Sequence, residues 1–155
     1  MIKQNHPQCM PIIRSVGCFV RSCWALAELK TGRRLKANEI NKLWIFGKSS
    51  NLIDHNNNVK ESAPLATEAL RVLGDSGSFV EIATFIEGKM NYYSWVTPAM
   101  KERKKWFIQK IKTNGKIGTH FRVVNKEGKL IFDPYEPECT VQSIFYSVVY
   151  IYLEE

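Results

Sequence analysis

Two cysteines, Cys18 and Cys23, stand five residues apart in the stretch VGCFVRSCWALAELKTG, residues 16–32. A thiol attacks a carbonyl as its thiolate, and the first turn of a helix stabilises that anion because unsatisfied N–H groups and the positive end of the dipole converge there. The helical spacing of the apolar residues puts Cys18 at such a turn, with Gly17 before it to let the backbone bend and leave the sulfur accessible. Cys23 falls deeper in the helix, on one stripe with Phe19, Trp24 and Ala27, where apolar surroundings raise a thiol pKa and leave it inert. The thiolate needs a base, and the chain has three histidines. His6 belongs to a frayed terminus and His55 to the polar loop IDHNNN, so both are expected to be solvated. His120 opens the strand THFRVV. An imidazole is in turn oriented by a carboxylate, and of Asp54, Asp75 and Asp133 only the last ends a strand that pairs with that of His120. In a hairpin turning at KEG (126–128), His120 lies seven residues before Glu127 and Asp133 six after it, so the two meet across the ladder. Each residue alone has a simpler role: a core cysteine, a strand histidine, an Asp-Pro turn. Their joint placement is the specific signal.

Several elements must carry these residues. Phe19, Val20, Cys23, Trp24 and Ala27 make one apolar stripe, and Gly32 supplies a stop. A second helix is expected over ANEINKLWIF with Asn38 as cap and Ile40, Leu43 and Trp44 inward, and a third over SAPLATEALRVLG between Ser62 and Gly74. The residues before Val16 are expected to be irregular and superficial, and 47–61 to form a loop. SFVEIATFI and MNYYSWV read as strands of a hairpin, and Thr97-Pro98 reads as the start of a helix over 98–113. THFRVVN and KLIFDP form the second hairpin, and the last strand covers about 143–153. Helices first and antiparallel strands after them define an α+β domain over 1–155.

Composition excludes several classes. With 45% hydrophobic and 24% charged residues, 155 residues suffice for one packed core. The polar start MIKQNHPQCMP lacks the apolar centre of a signal peptide, and the longest apolar run, SIFYSVVYIYL, is about half the ~20 residues that span a bilayer. A cytoplasmic protein without membrane association is expected. Cys9, Cys18, Cys23 and Cys139 are then expected to be reduced thiols, and no Cys/His spacing suggests a metal or a cofactor. The net charge of +7 is concentrated in KERKKWFIQKIKTNGK (101–116). Such a run binds phosphate backbones or, more commonly, forms the solvated face of an amphipathic helix.

GCFVRSCWALAELKTGRRLKANEINKLW resembles the nucleophile helix and following helix of papain-like bacterial peptidases of the bacteriocin-processing, C39-like group. THFRVVNKEGKLIFDPYEP resembles their His-Phe strand, tight turn and strand ending in Asp-Pro. The order Cys, His, Asp agrees, and the Gly-Cys-aromatic start is also similar to that of a small family of uncharacterised activity. The resemblance implies a papain-like fold with Cys18 as nucleophile, His120 as general base and acid, and Asp133 as the orienting residue. It also implies an oxyanion-hole glutamine a few residues before the cysteine. Residues 12–16 contain none, so Gln8 is the candidate, with the Cys18 backbone N–H as second donor. Phe19 stands where the group has Cys-Gly-Pro. SCWALAE also looks like the SCWAF of papain, which would make Cys23 the nucleophile, but leaves the Phe19/Val20 end of the stripe unexplained. Trp95, Tyr92 and Tyr93 are candidates for lining a substrate cleft. The function expected is hydrolysis of a peptide or isopeptide bond. The alternatives are an inactive relative binding nucleic acid or an acidic protein, and an amidase or acyltransferase acting on a non-peptide substrate.

Overall fold

Apolar residues at helical spacing dominate the first half and alternating ones the second, and the computed structural model, which describes residues 1–114 and 118–154, follows that change. Its helices are α1 (Pro11–Val16), α2 (Cys18–Thr31), α3 (Ala37–Ser49), α4 (Ser62–Val72) and the short α5 (Pro98–Glu102). The strands are β1 (Ser78–Ile86), β2 (Lys89–Tyr92), β3 (Trp106–Thr113), β4 (Thr119–Val124), β5 (Leu130–Phe132) and β6 (Val141–Leu153). They form one six-stranded sheet in the order β2-β1-β6-β3-β4-β5, every neighbouring pair antiparallel. The α+β architecture is therefore as expected.

Alternation along the strands feeds two cores. Ile108, Val123, Val148 and Tyr150 face the helices, while Phe107, Val124, Val149 and Ile151 pack with Ile82 and Val96 on the opposite side. No described helix is long and apolar enough to cross a membrane.

α2 runs through the main core. Every residue from Val20 to Glu28 is buried, so this helix is enclosed all round rather than along one stripe. Enclosure includes a charged pair. Arg21 and Glu28 lie seven residues apart, two turns along one face, with Nη2 and Oε1 2.6 Å apart and both side chains fully buried. Burial pulls the Arg21 pKa down and the Glu28 carboxylate opposes it. Glu28 Oε2 also accepts the Leu35 N–H at 3.0 Å, and Arg21 Nε donates to the Ile2 carbonyl at 2.7 Å.

Several expectations need correction. The segment before Val16 is not superficial: Gln4, Cys9 and Ile13 are buried, and residues 11–16 are helical. The Gln4 N–H donates to the Pro134 carbonyl at 2.6 Å, and Asn5 Nδ2 donates to the Glu136 carbonyl at 2.7 Å, so this segment straps the loop after β5. The helix over 98–113 is reduced to α5. Its start signal works locally, since Thr97 Oγ1 accepts the Met100 N–H at 3.2 Å and Pro98 sits at the first helical position. Beyond Arg103, however, the aromatic and β-branched residues of β3 pair with β4 on one side and β6 on the other, and that pairing outweighs local helix propensity. The basic residues therefore never line one helix face. Lys101, Lys105 and Lys110 lie over aromatic rings, and Arg103 donates to the Tyr152 carbonyl. Lys116 is outside the described residues.

The caps also shift. Lys36 rather than Asn38 precedes α3, and Glu39 Oε1 accepts its N–H at 2.8 Å, while Ile40, Leu43 and Trp44 are buried as expected. Ser62 is the first residue of α4 instead of its cap, and its hydroxyl meets Tyr150 Oη at 2.6 Å. β2 ends at Tyr92, short of the strand expected through Val96, and the chain turns there with the Val96 N–H donating to the Tyr93 carbonyl at 3.1 Å.

Candidate active site

Cys18 is the first residue of α2 and half-buried, while Cys23 is fully buried in the core. Burial raises the Cys23 thiol far above its ordinary pKa. Gly17 links α1 to α2 with φ −85°, a value open to any residue, so its role is space rather than backbone freedom. A Cβ at this position would stand 2.5 Å from the Ile13 carbonyl oxygen. Gly17→Ala must therefore push the two helices apart and move the sulfur. The expected loss is about 1–3 kcal/mol in chemical denaturation, the range for overpacking a tight site.

β4 and β5 bring the other two residues together. Val123 faces Phe132 across the hairpin, and the turn closes with Gly128 at φ +82°, a left-handed conformation that suits glycine. His120, 1% exposed, and Asp133, also 1%, meet with Nε2 and Oδ1 2.6 Å apart. The carboxylate is held from three sides. Oδ1 also accepts the Tyr135 N–H and Oδ2 the Cys139 N–H, each at 2.9 Å. Burial works against the Asp133 charge, but the His120 bond and these two N–H groups hold its pKa below the usual value.

The ring's other nitrogen, Nδ1, is buried without a hydrogen-bond partner among the described residues. Cys18 and His120 line one cleft of about 440 Å³, with Gln4, Arg14, Thr119 and Tyr135 around them. Burial disfavours the imidazolium, yet the Asp133 carboxylate and the Cys18 sulfur outweigh it and raise His120 to about 9. A raised histidine pKa contributes stability that is complete below the unfolded value of 6.5 and lost as pH climbs through 9. The lowered Asp133 pKa contributes stability that is complete above 3.8 and lost on further acidification. The unfolding free energy should accordingly fall between pH 6.5 and 9, and His120→Gln should flatten that limb in denaturant titrations at a series of pH values.

The remaining candidates lie elsewhere. Gln8 is exposed on a separate cavity with Lys3, His6 and Arg34, and its backbone carbonyl accepts from Asn41 Nδ2 at 3.0 Å. Trp95 is 52% exposed and stacks on Tyr93, with ring centroids 6.0 Å apart. Tyr92 packs against the second core. None of these three lines the Cys18 cleft. His6 accepts the Gln8 N–H, and His55 is exposed.

Gln4, which sequence reasoning passed over, does line the cleft. It is 2% exposed, Nε2 reaches the Ile13 and Arg14 carbonyls only at 3.3 and 3.4 Å, and Oε1 has no partner among the described residues. The signal available in the sequence was a second glutamine upstream of Cys18, 14 residues away instead of ten.

All four cysteines are free. Potential ligand atoms of His120, Asp133 and Cys139 lie within 4.8 Å of one another. The 2.6 Å His120–Asp133 contact is a hydrogen bond with no room for an ion between the two atoms, so a metal held by both would have to break it.

No family model, curated protein or solved structure matches this chain.

Proposed function

We propose that this chain is a cysteine hydrolase of papain-like type that cleaves a peptide or isopeptide bond. The observation that carries this reading is the buried 2.6 Å bond between His120 Nε2 and Asp133 Oδ1, which leaves Nδ1 without a partner among the described residues in a side chain that lines one cleft with Cys18. At neutral pH the imidazole is protonated, because its pKa lies near 9, and the Asp133 charge balances it.

Cys18 attacks the carbonyl carbon as thiolate, forming the S–C bond while the carbonyl π electrons move onto oxygen. The oxyanion is met by the Cys18 backbone N–H at the start of α2 and by the side-chain amide of Gln4, which takes the role first assigned to Gln8. The long Gln4 bonds to two carbonyls are weak, so the amide can redirect a hydrogen to the oxyanion. His120 Nδ1–H then protonates the leaving amine as the C–N bond breaks. In the second half, Nδ1 takes a proton from water, hydroxide adds to the thioester, and Cys18 leaves as thiolate.

The test is digestion of a diverse peptide mixture, with new termini mapped by mass spectrometry. Cleavage by the native chain that disappears in Cys18→Ala supports the reading, and cleavage that persists in Cys18→Ala, or none by the native chain, contradicts it. Against any peptide cleaved, Gln4→Ala should lower kcat by roughly 10²–10³ with little change in KM, as expected for a donor used in the transition state.

A further inference from the structure

A second groove, also about 440 Å³, opens next to Phe19, the residue after Cys18. Its walls mix apolar side chains, among them Phe19, Pro64, Tyr146 and Val148, with polar ones, and the half-buried carboxylate of Glu81 reaches it from β1. The register of β1 against β6 shifts between Glu81 and Ala83, and a bulge of this kind re-aims the neighbouring side chain. Two hydroxyls hold the carboxylate: Ser62 Oγ donates to Oε1 at 3.3 Å, and Tyr93 Oη donates to Oε2. A carboxylate accepts about four hydrogen bonds, so acceptor capacity remains. Among the described residues no cation pairs with Glu81, and Lys60 on the groove's exposed rim pairs with no acid. A fixed, half-buried anion beside the apolar side chains of Phe19, Pro64 and Val148 matches a long side chain with an aliphatic stem and a cationic head.

We infer that this groove binds a lysine or arginine side chain of the substrate and that Glu81 selects it. The inference rests on the reading of Cys18 as nucleophile. Glu61, a second carboxylate lining the groove, adds to the attraction and Lys60 opposes it. The overall charge of +7 does not decide the matter, because salt at ~0.15 M screens exposed charges beyond ~8 Å and leaves the contact with Glu81 itself.

Peptidyl chloromethyl ketones test this without requiring turnover, since they alkylate an active-site thiol with loss of chloride. Two series are compared on the native chain, carrying arginine or its uncharged isostere citrulline at the first, second or third residue before the reactive carbon. At one position arginine should react roughly tenfold faster or more, in line with a hydrogen bond to a charged group, and Glu81→Gln should bring that ratio close to one. Equal rates for arginine and citrulline at all three positions of the native chain would overturn the inference. Iodoacetamide separates the two levels. If it labels Cys18 faster than the other cysteines below pH 7 while the peptide series show no preference, the Glu81 assignment fails alone. If Cys18 is slow toward iodoacetamide as well, the nucleophile reading fails and the inference falls with it.

Discussion

Replacing Asp133 with alanine is expected to slow any turnover by roughly 10²–10⁴-fold, the range seen when the residue that orients a catalytic histidine is lost. The substitution removes the acceptor of His120 Nε2 and leaves the Tyr135 and Cys139 N–H groups without their carboxylate partner. It also leaves a buried imidazolium uncompensated, so the ring loses its proton at neutral pH and Nδ1 has none to give the leaving amine. The same change should destabilise the fold by about 3–5 kcal/mol, as when one partner of a buried charge pair is removed. Asp133→Asn separates the two effects. Its side-chain oxygen still accepts from Nε2–H, but the negative charge is gone, so the His120 pKa should fall from about 9 toward its unperturbed 6.5. The alkaline limb of kcat/KM should move down with it, while the fold loses less than in Asp133→Ala. A pH–rate profile with an unmoved alkaline limb in Asp133→Asn would show that the carboxylate does not set the imidazole's charge.

The second large effect lies away from the cleft. Arg21→Met should destabilise the protein by about 3–5 kcal/mol, because Glu28 would be left charged and fully buried. Replacing both partners, Arg21→Met with Glu28→Leu, should recover most of that loss, since a buried ion pair and an apolar pair of similar volume are often close in stability. Turnover should recover less in the double variant than stability does. Arg21 Nε donates to the Ile2 carbonyl, and the strand of residues that follows carries Gln4 into the cleft and ties it to Pro134 and Glu136. Lys3 reinforces the same strap, with Nζ donating to the Asp133 carbonyl at 2.6 Å. Denaturant titration measures the first effect, and kcat at full folding measures the second. Equal recovery of both would show that the strap does not depend on Arg21.

The candidate trio was legible in the sequence because the placing of Cys18 and the pairing of His120 with Asp133 are both local. Helix phase alone separates Cys18 from Cys23, and hairpin arithmetic around KEG alone brings His120 to Asp133. The contribution of the amino terminus was not legible, since Gln4 and Pro134 are bonded across 130 residues and no periodicity announces a strap. β3 was not legible for a related reason. Thr97-Pro98 is a true helix start, but the identity of residues 106–113 is decided by partners on β4 and β6 that the segment does not itself contain. The Arg21–Glu28 pair did leave a trace: opposite charges seven residues apart on an otherwise apolar helix mark one face two turns along. The reason for Gly17 is its close approach to Ile13, which cannot be read from the sequence around it.

The proposed chemistry depends most on Cys18 being an activated thiolate beside a protonated His120. Iodoacetamide labelling of the native chain at pH 6, followed residue by residue with peptide mass spectrometry, measures this directly. The other three thiols provide an internal reference, as burial raises the pKa of Cys9 and of Cys23, and burial with the nearby Asp133 and Cys18 charges lifts Cys139 to about 11. Cys18, which shares its cleft with the His120 imidazole, is predicted to be labelled at least roughly tenfold faster than any of them, and His120→Gln should abolish the difference. Labelling of Cys18 no faster than Cys9 or Cys139 would contradict it.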